Sequence, residues 1–72
     1  SYEINQELIG KEETVLIEGF SRKSDKYFSG RTDTNKVAVF PVKENLGAGD
    51  YVKVKITKAT SATLTGEITE IL

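Results

Sequence analysis

The stretch Tyr51-Val-Lys-Val-Lys-Ile-Thr57 carries the clearest structural signal in this 72-residue chain. Its apolar and polar residues alternate strictly, and the apolar positions are Val52, Val54 and Ile56. Because successive side chains of a β-strand point to opposite faces, this alternation predicts a strand with one buried face and one solvated face. Residues 63–69 repeat the pattern, with the inward positions predicted to be Leu64, Gly66 and Ile68.

Three more strands are predicted upstream, at residues 14–20, 27–32 and 36–40, because these segments are rich in β-branched and aromatic residues. Pro41 ends the last of them, since proline cannot donate into a ladder. Five short strands, spaced about ten residues apart without an intervening helix, predict an all-β fold. We expect a small five-stranded antiparallel β-barrel of the OB-like type at residues 14–72, because closure removes exposed strand edges.

The polar segments between the first three strands predict how the chain turns. Residues 21–26 are polar and charged and are interpreted as a loop, and Gly30 is predicted to break or bulge the second strand. Asn35 tolerates a positive φ and suits the following turn. In the first strand, one predicted face holds Val15 and Ile17, and the other holds Leu16, Glu18 and Phe20.

Residues 1–13 form a separate connector segment. Ile4, Leu8 and Ile9 fall at helical spacing, and Gly10 would end such a helix. Two interpretations stay open at this point. The segment is either a marginal helix whose apolar stripe packs on a preceding domain, or a frayed and disordered terminus.

The missing residue types exclude several functions. The chain has no Cys and no His, which rules out thiolate or imidazole nucleophiles and zinc or iron–sulfur ligation by those side chains. We therefore expect no catalysis, metal or cofactor in this chain alone. The first residue is Ser1 rather than Met, which either processing or a fragment of a longer protein would explain. No apolar run is long enough for a membrane span, so we expect a soluble, cytoplasmic protein and no membrane partner.

The net charge of −1 conceals an uneven distribution. Residues 1–20 hold five glutamates and one lysine, whereas residues 21–36 hold five cations and two aspartates. The segment Ser21-Arg-Lys-Ser-Asp-Lys-Tyr-Phe-Ser-Gly-Arg-Thr32 combines cations, hydroxyls and aromatics, the residue types that contact phosphates and unstacked bases. A solvated loop with partly buried aromatics is the alternative interpretation. The outward lysines Lys53 and Lys55 either guard a strand edge or extend this basic surface.

Several motifs in order resemble a known family. They are Val15-Leu-Ile-Glu-Gly19, Gly30-Arg-Thr32, Asn35-Lys-Val37, Val39-Phe40 and Gly49-Asp-Tyr-Val-Lys-Val-Lys-Ile56, followed by Leu64 and Gly66. Together they resemble a TRAM domain, and more narrowly the C-terminal domain of radical-SAM methylthiotransferases. Glu18-Gly-Phe-Ser-Arg-Lys-Ser24 is similar to the tRNA-modifying branch, whose product is the 2-methylthio derivative of isopentenyladenosine beside the anticodon. The branch that modifies a ribosomal protein is the near alternative.

The resemblance implies a tRNA-binding role in a monomeric protein whose partners are tRNA and its own upstream radical-SAM domain. It also implies that two 4Fe-4S clusters and S-adenosylmethionine are bound upstream, and that residues 1–13 are the tail of the preceding domain. The residues that it implies for RNA contact are Ser21, Arg22, Lys23, Ser24, Lys26, Tyr27, Arg31, Thr32, Lys36, Phe40, Lys53 and Lys55. A protein-docking barrel, with an apolar patch around Leu16, Phe20 and Phe40, is the competing hypothesis.

Overall fold

The computed structural model describes residues 2–72, which form a short helix followed by five strands. The elements are α1 (Tyr2–Gln6), β1 (Glu12–Ser21), β2 (Ser24–Thr32), β3 (Val37–Pro41), β4 (Tyr51–Ala59) and β5 (Thr63–Ile71). The strands close into a barrel in the order β1-β2-β3-β5-β4. The predicted five-stranded all-β barrel is therefore confirmed. No helix in the described part of the chain is both long and apolar enough to span a membrane.

The prediction of purely antiparallel pairing was wrong at one place. β3 and β5 run parallel, with Val37 opposite Thr63 and Val39 opposite Thr65, whereas the other four pairings are antiparallel. The reason is geometric. In a closed barrel with an odd number of strands, strand direction cannot alternate at every pairing around the ring. One parallel pair is therefore required, and it is the pairing of β3 with β5.

The barrel interior holds the residues that the alternating pattern placed there. Val52, Val54, Ile56 and Leu64 are each 0% exposed, and they pack with Val15, Ile17, Phe28, Ala38 and Phe40 in one core. Gly30 and Gly66 are buried where strands approach closely. A Cβ at Gly66 would lie 2.8 Å from Val54 Cγ1, and one at Gly30 would lie 2.6 Å from Val15 Cγ1. Neither position has room for a larger side chain.

A bulge in β1 changes which way its last residues point. The register with β2 shifts between Ile17 and Gly19, and Gly19 adopts a φ of +149° that glycine tolerates. Beyond the shift, Phe20 lies opposite the buried Phe28 and shares its face. The prediction that Phe20 shares a face with Leu16 was therefore wrong. The bulge lies at Gly19 and not at Gly30, which pairs regularly.

The turn between β1 and β2 is shorter than the predicted loop at residues 21–26. Ser21 pairs with Ser24, which leaves only Arg22 and Lys23 between the two strands. The next turn behaves as its sequence indicates, because Asn35 adopts a φ of 65°. The β1–β2 connection is thus a tight hairpin, and its charged residues are held at a fixed place.

The N-terminal segment is attached to the barrel through polar contacts. Asn5 is 3% exposed, and its Nδ2 donates to the Thr60 carbonyl at 2.7 Å while its Oδ1 accepts from Lys36 Nζ at 2.7 Å. Leu8 packs against the core, but Ile4 and Ile9 are exposed. The predicted apolar stripe is therefore split, and a buried amide anchors the helix. The division of the chain after residue 13 stays a prediction.

Candidate nucleic-acid interface

One outer face of the barrel is built by β2, β3 and β5 together. Ser29 of β2 lies opposite Val39 of β3, which in turn lies opposite Thr65 of β5. Side chains at opposed positions of neighbouring strands share a face. We call this surface the β2–β3–β5 face, and its outward residues, all half-buried, are Ser29, Arg31, Val37, Val39, Thr63 and Thr65.

The β1–β2 hairpin tip borders this face. Backbone amides close the turn by donating to serine hydroxyl oxygens, from Lys23 N to Ser21 Oγ at 3.4 Å and from Lys26 N to Ser24 Oγ at 3.1 Å. Each hydroxyl keeps its own proton to donate elsewhere. The exposed tip residues Arg22 and Lys23 are therefore presented beside two hydroxyl donors.

A groove of about 520 Å³ runs between the hairpin tip and the sheet. Its lining is cationic at the tip and rich in hydroxyls on the sheet: Ser21, Arg22, Lys23, Ser29, Val39, Thr60, Thr63 and Thr65. We call it the hydroxyl groove. Cations flanked by hydroxyl donors are the usual partners of backbone phosphates in protein–nucleic acid contacts.

A second groove of about 430 Å³ adjoins the first, and Arg22 lines both. We call it the arginine groove, and its lining residues are Glu18, Gly19, Phe20, Arg22, Ser29, Arg31 and Val37. Arg31 Nε lies 3.6 Å from Glu18 Oε1, and Arg31 Nη1 donates to Asn35 Oδ1 at 3.1 Å. Both charged side chains are about half exposed, so water screens this ion pair and the guanidinium can exchange Glu18 for another anion.

The structure thus brings four of the sequence-predicted residues into these two adjoining grooves, namely Ser21, Arg22, Lys23 and Arg31. It also adds residues that sequence reasoning missed, namely Ser29, Thr60, Thr63 and Thr65. The polar alternation of Thr63 and Thr65 along β5 was visible in the sequence. What was not visible was that the parallel pairing with β3 sets β5 beside the basic hairpin.

Two predicted contact residues are buried, and their predicted roles were wrong. Phe40 is 0% exposed and offers no ring face to a base, because its alternating position points into the core. Thr32 is 5% exposed, and its Oγ1 accepts from Lys36 N at 3.1 Å and lies 3.1 Å from Thr34 Oγ1. That hydroxyl closes a turn and does not reach the surface.

Other predicted residues are accessible or engaged away from the grooves. Lys26 is exposed, and Tyr27, which is 40% exposed, lies opposite Pro41. Ser24 holds the hairpin turn as described above. Lys36 is directed to Asn5 in α1, where its ammonium group holds the helix on the barrel. Contact of these residues with RNA stays a prediction.

Lys53 and Lys55 lie on another side of the barrel, among carboxylates. Lys53 pairs with Glu70, and Lys55 pairs with Glu67 on one side and Glu12 on the other. We call this surface, with these five residues, the β4 face. Thr69 Oγ1 donates to Glu12 Oε1, which draws that carboxylate across β4. Lys53 and Lys55 line neither groove, and contact of these two lysines with RNA stays a prediction.

The predicted apolar docking patch is likewise not assembled. Phe40 is buried, Leu16 is half-buried opposite Tyr51, and Phe20 stacks on Phe28. Within residues 2–72, no three acidic side chains cluster in a way that could hold a metal ion. The grooves beside the hairpin tip are therefore the strongest candidate site.

Comparison with known proteins agrees with this architecture. The family model described as "TRAM domain" matches residues 6–69, which is most of the chain. The chain belongs to the TRAM domain family. The resemblance inferred from the sequence motifs is confirmed, and the matched range includes all five strands except the last two residues of β5.

The relatives of this TRAM domain are much longer proteins. It is 53% identical over 70 residues to a protein of Parabacteroides distasonis, covering 97% of this chain and 15% of the relative. It is 47% identical over 68 residues to one of Karelsulcia muelleri, covering 94% and 15%, and 57% identical over 60 residues to one of Christiangramia forsetii, covering 83% and 12%. All three are named tRNA-2-methylthio-N(6)-dimethylallyladenosine synthase. The chain thus spans 12–15% of the length of these methylthiotransferases.

Proposed function

We propose that this TRAM domain binds RNA through the hairpin tip and the two adjoining grooves. Within a longer methylthiotransferase, it would hold the substrate tRNA by its backbone near the anticodon arm. The observation that carries the proposal is the hydroxyl groove, in which Arg22 and Lys23 face a row of sheet hydroxyls. Arg31 adds a third cation in the adjoining groove.

The charge environment of these cations supports the proposal. Across residues 2–72, Arg31 is the only cation of the two grooves within 4.0 Å of a carboxylate, and that pair is solvent-screened. Arg22 and Lys23 are exposed and belong to a basic segment in a chain whose net charge is −1. A local cluster of this kind attracts a polyanion despite the acidic total, because charges beyond about 10 Å are largely screened at physiological salt.

The names of the relatives favour tRNA as the RNA and methylthio transfer to N6-isopentenyladenosine as the reaction of the longer protein. The ribosomal-protein branch is correspondingly disfavoured. Two 4Fe-4S clusters and S-adenosylmethionine would be held by residues outside this chain, which contains no Cys. We propose a monomeric, cytoplasmic enzyme in which this domain performs no chemistry itself.

A tethered RNA-binding domain would assist such a reaction by raising local concentration. Once the barrel holds the tRNA backbone, the target base meets the catalytic centre in an intramolecular step instead of a bimolecular one. Such binding does not require recognition of the RNA sequence, because contacts with phosphates and sugar hydroxyls are enough to position and orient the RNA on the protein. This expectation fits a surface made of arginine, lysine, serine and threonine.

The test is a titration of fluorescently labelled tRNA with this chain at several salt concentrations. With three phosphate contacts, the logarithm of the affinity should fall with the logarithm of salt at a slope of about −2 to −3. Amide chemical-shift changes should centre on residues 21–31 and 60–65. No salt-dependent binding at millimolar protein, or shifts confined to apolar positions around Leu16 and Tyr51, would refute RNA binding and favour protein docking.

A further inference from the structure

Three phenylalanine rings contact one another in sequence from the barrel core to its surface. The ring centroids of Phe28 and Phe40 lie 6.1 Å apart in an edge-to-face arrangement, and those of Phe20 and Phe28 lie 5.8 Å apart with planes inclined by 12°. Phe40 is 0% exposed, Phe28 is 3% exposed and Phe20 is 63% exposed. The outermost ring is thus largely open to solvent and is stacked on the buried Phe28, which in turn packs against Phe40.

Exposure of one aromatic residue is common and means little by itself. The surroundings of Phe20 make it distinctive, because it lines the arginine groove with Arg22 and Arg31. Single-stranded nucleic acid is bound by an aromatic ring that stacks on a base while cations track the phosphates on either side. Here Phe20 and both arginines line one groove, and the Phe20 ring leaves it on the face of the sheet that carries Phe28.

The β1 bulge gives Phe20 its supporting ring. The register shift at Gly19 turns Phe20 onto the face of Phe28, so that a buried ring supports it. In a regular strand, Phe20 would lie on the opposite face with Leu16, away from that support. A ring fixed in advance loses little conformational entropy when a base stacks on it.

We propose that Phe20 stacks on one unpaired base of the bound RNA, and that this domain consequently prefers RNA with unpaired nucleotides over a continuous duplex. The proposal rests on the RNA-binding function proposed above and specifies its substrate class. A fully paired duplex presents its phosphates to Arg22 and Arg31 but keeps every base stacked on its neighbours, so it cannot use Phe20. Only an RNA with a loop, bulge or single-stranded end satisfies both parts of the groove.

The other exposed aromatic residues do not share this position. Tyr51 is 52% exposed but lies beside Leu16, and Tyr27 lies opposite Pro41. Neither lines a groove that contains Arg22. Tyr51, however, lines a third groove together with Arg31. Tyr2, which is 55% exposed in α1 and lines none of these three grooves, is therefore the internal control for an exposed ring.

The first experiment compares one labelled RNA hairpin, which has an unpaired loop, with the same strand annealed to its full complement. The unaltered chain should bind the hairpin at least about fivefold more tightly per strand. Phe20→Leu keeps an apolar side chain but removes the ring, and it should weaken hairpin binding by about five- to tenfold while leaving duplex binding and the salt slope unchanged. Tyr2→Leu should change neither affinity.

A second experiment reports stacking directly. The chain contains no Trp, so Phe20→Trp introduces a single indole fluorophore. Stacking of a base on that ring should quench its emission when hairpin RNA is added, and much less when duplex is added. Tyr2→Trp provides the matched probe in α1, at a position that lines neither groove, and should be quenched by neither RNA. Thermal unfolding of each variant verifies that the barrel is intact.

The outcomes separate this proposal from the one on which it rests. Absence of salt-dependent binding to either RNA overturns both. Salt-dependent binding with equal affinity for hairpin and duplex, or an unchanged affinity in Phe20→Leu, overturns base stacking alone and leaves phosphate binding standing. Equal quenching of the two tryptophan probes also contradicts a specific role for position 20.

Discussion

The β2–β3–β5 face with its hairpin tip and the β4 face both carry cations, yet their neighbours differ. Arg22 and Lys23 border hydroxyl-bearing side chains, whereas Lys53 and Lys55 are flanked in register by Glu12, Glu67 and Glu70. The same residue types therefore present a site for a polyanion in one place and a locally neutral surface in the other. The difference teaches that cross-strand neighbours, and not the number of lysines, determine where a barrel can bind nucleic acid.

Both faces exist only if the barrel closes. Among the variants considered, Gly30→Ala should disturb barrel closure most. The added methyl would meet Leu16 O and Val15 Cγ1, a buried collision costing about 1–3 kcal/mol or more of unfolding free energy. Urea unfolding should show the loss of unfolding free energy. Thermal unfolding should show a melting temperature that is lower by roughly 5–20 °C. Gly47→Ala, where an added Cβ meets no atom within 4 Å, should shift stability by less than about 0.5 kcal/mol. Equal stability of the two variants would contradict the close strand approach.

Removing two cations from each face tests the contrast directly. Arg22→Ala with Lys23→Ala should weaken tRNA binding by about tenfold or more at 0.1 M salt and flatten the salt slope by about 1.5. Lys53→Ala with Lys55→Ala removes the same charge, but these lysines oppose carboxylates, so the slope should change by less than about 0.5. Titrations over a salt series measure both pairs of variants. A larger effect on the β4 face would reverse the assignment of the interface.

The difference in RNA binding between the two faces should disappear when the β4 face is made basic. Glu67→Lys with Glu70→Lys replaces the carboxylates opposite Lys55 and Lys53, and tRNA affinity should rise by about three- to tenfold with a steeper salt slope. Glu7→Lys with Glu44→Lys makes the same change in net charge at two scattered, exposed positions. If this control gains as much affinity, net charge and not cross-strand arrangement governs binding.

The smallest expected effect concerns the one carboxylate within the grooves. Glu18→Gln removes the charge that lies 3.6 Å from Arg31 and frees the guanidinium for phosphate, so affinity should rise by about two- to threefold. Stability should change by less than about 0.5 kcal/mol, because both side chains are about half exposed. Glu44→Gln, in the loop between β3 and β4, is the control for loss of one negative charge. Anisotropy titrations at low salt would detect the difference, and a loss of affinity would count against Arg31 as a contact.

Alternation along the sequence was enough to predict the strands and most of the core. Val52, Val54 and Ile56 are buried because a period of two along a strand reports which face meets the core, and this signal needs no knowledge of distant residues. Composition alone excluded thiolate and imidazole chemistry, because the chain contains no Cys and no His. The family motifs identified the domain for a similar reason, since they consist of local residues in a fixed order.

Tertiary structure alone decided which residues became neighbours. The parallel pairing of β3 with β5 placed Thr63 and Thr65 beside the hairpin tip, and the register of β4 placed Lys55 between Glu12 and Glu67. A single bulge reversed the side on which Phe20 lies. These relations join residues far apart in the chain, and a shift of one residue in pairing would flip every side chain involved. Local periodicity contains no information about that register, which is set by the closing of the barrel.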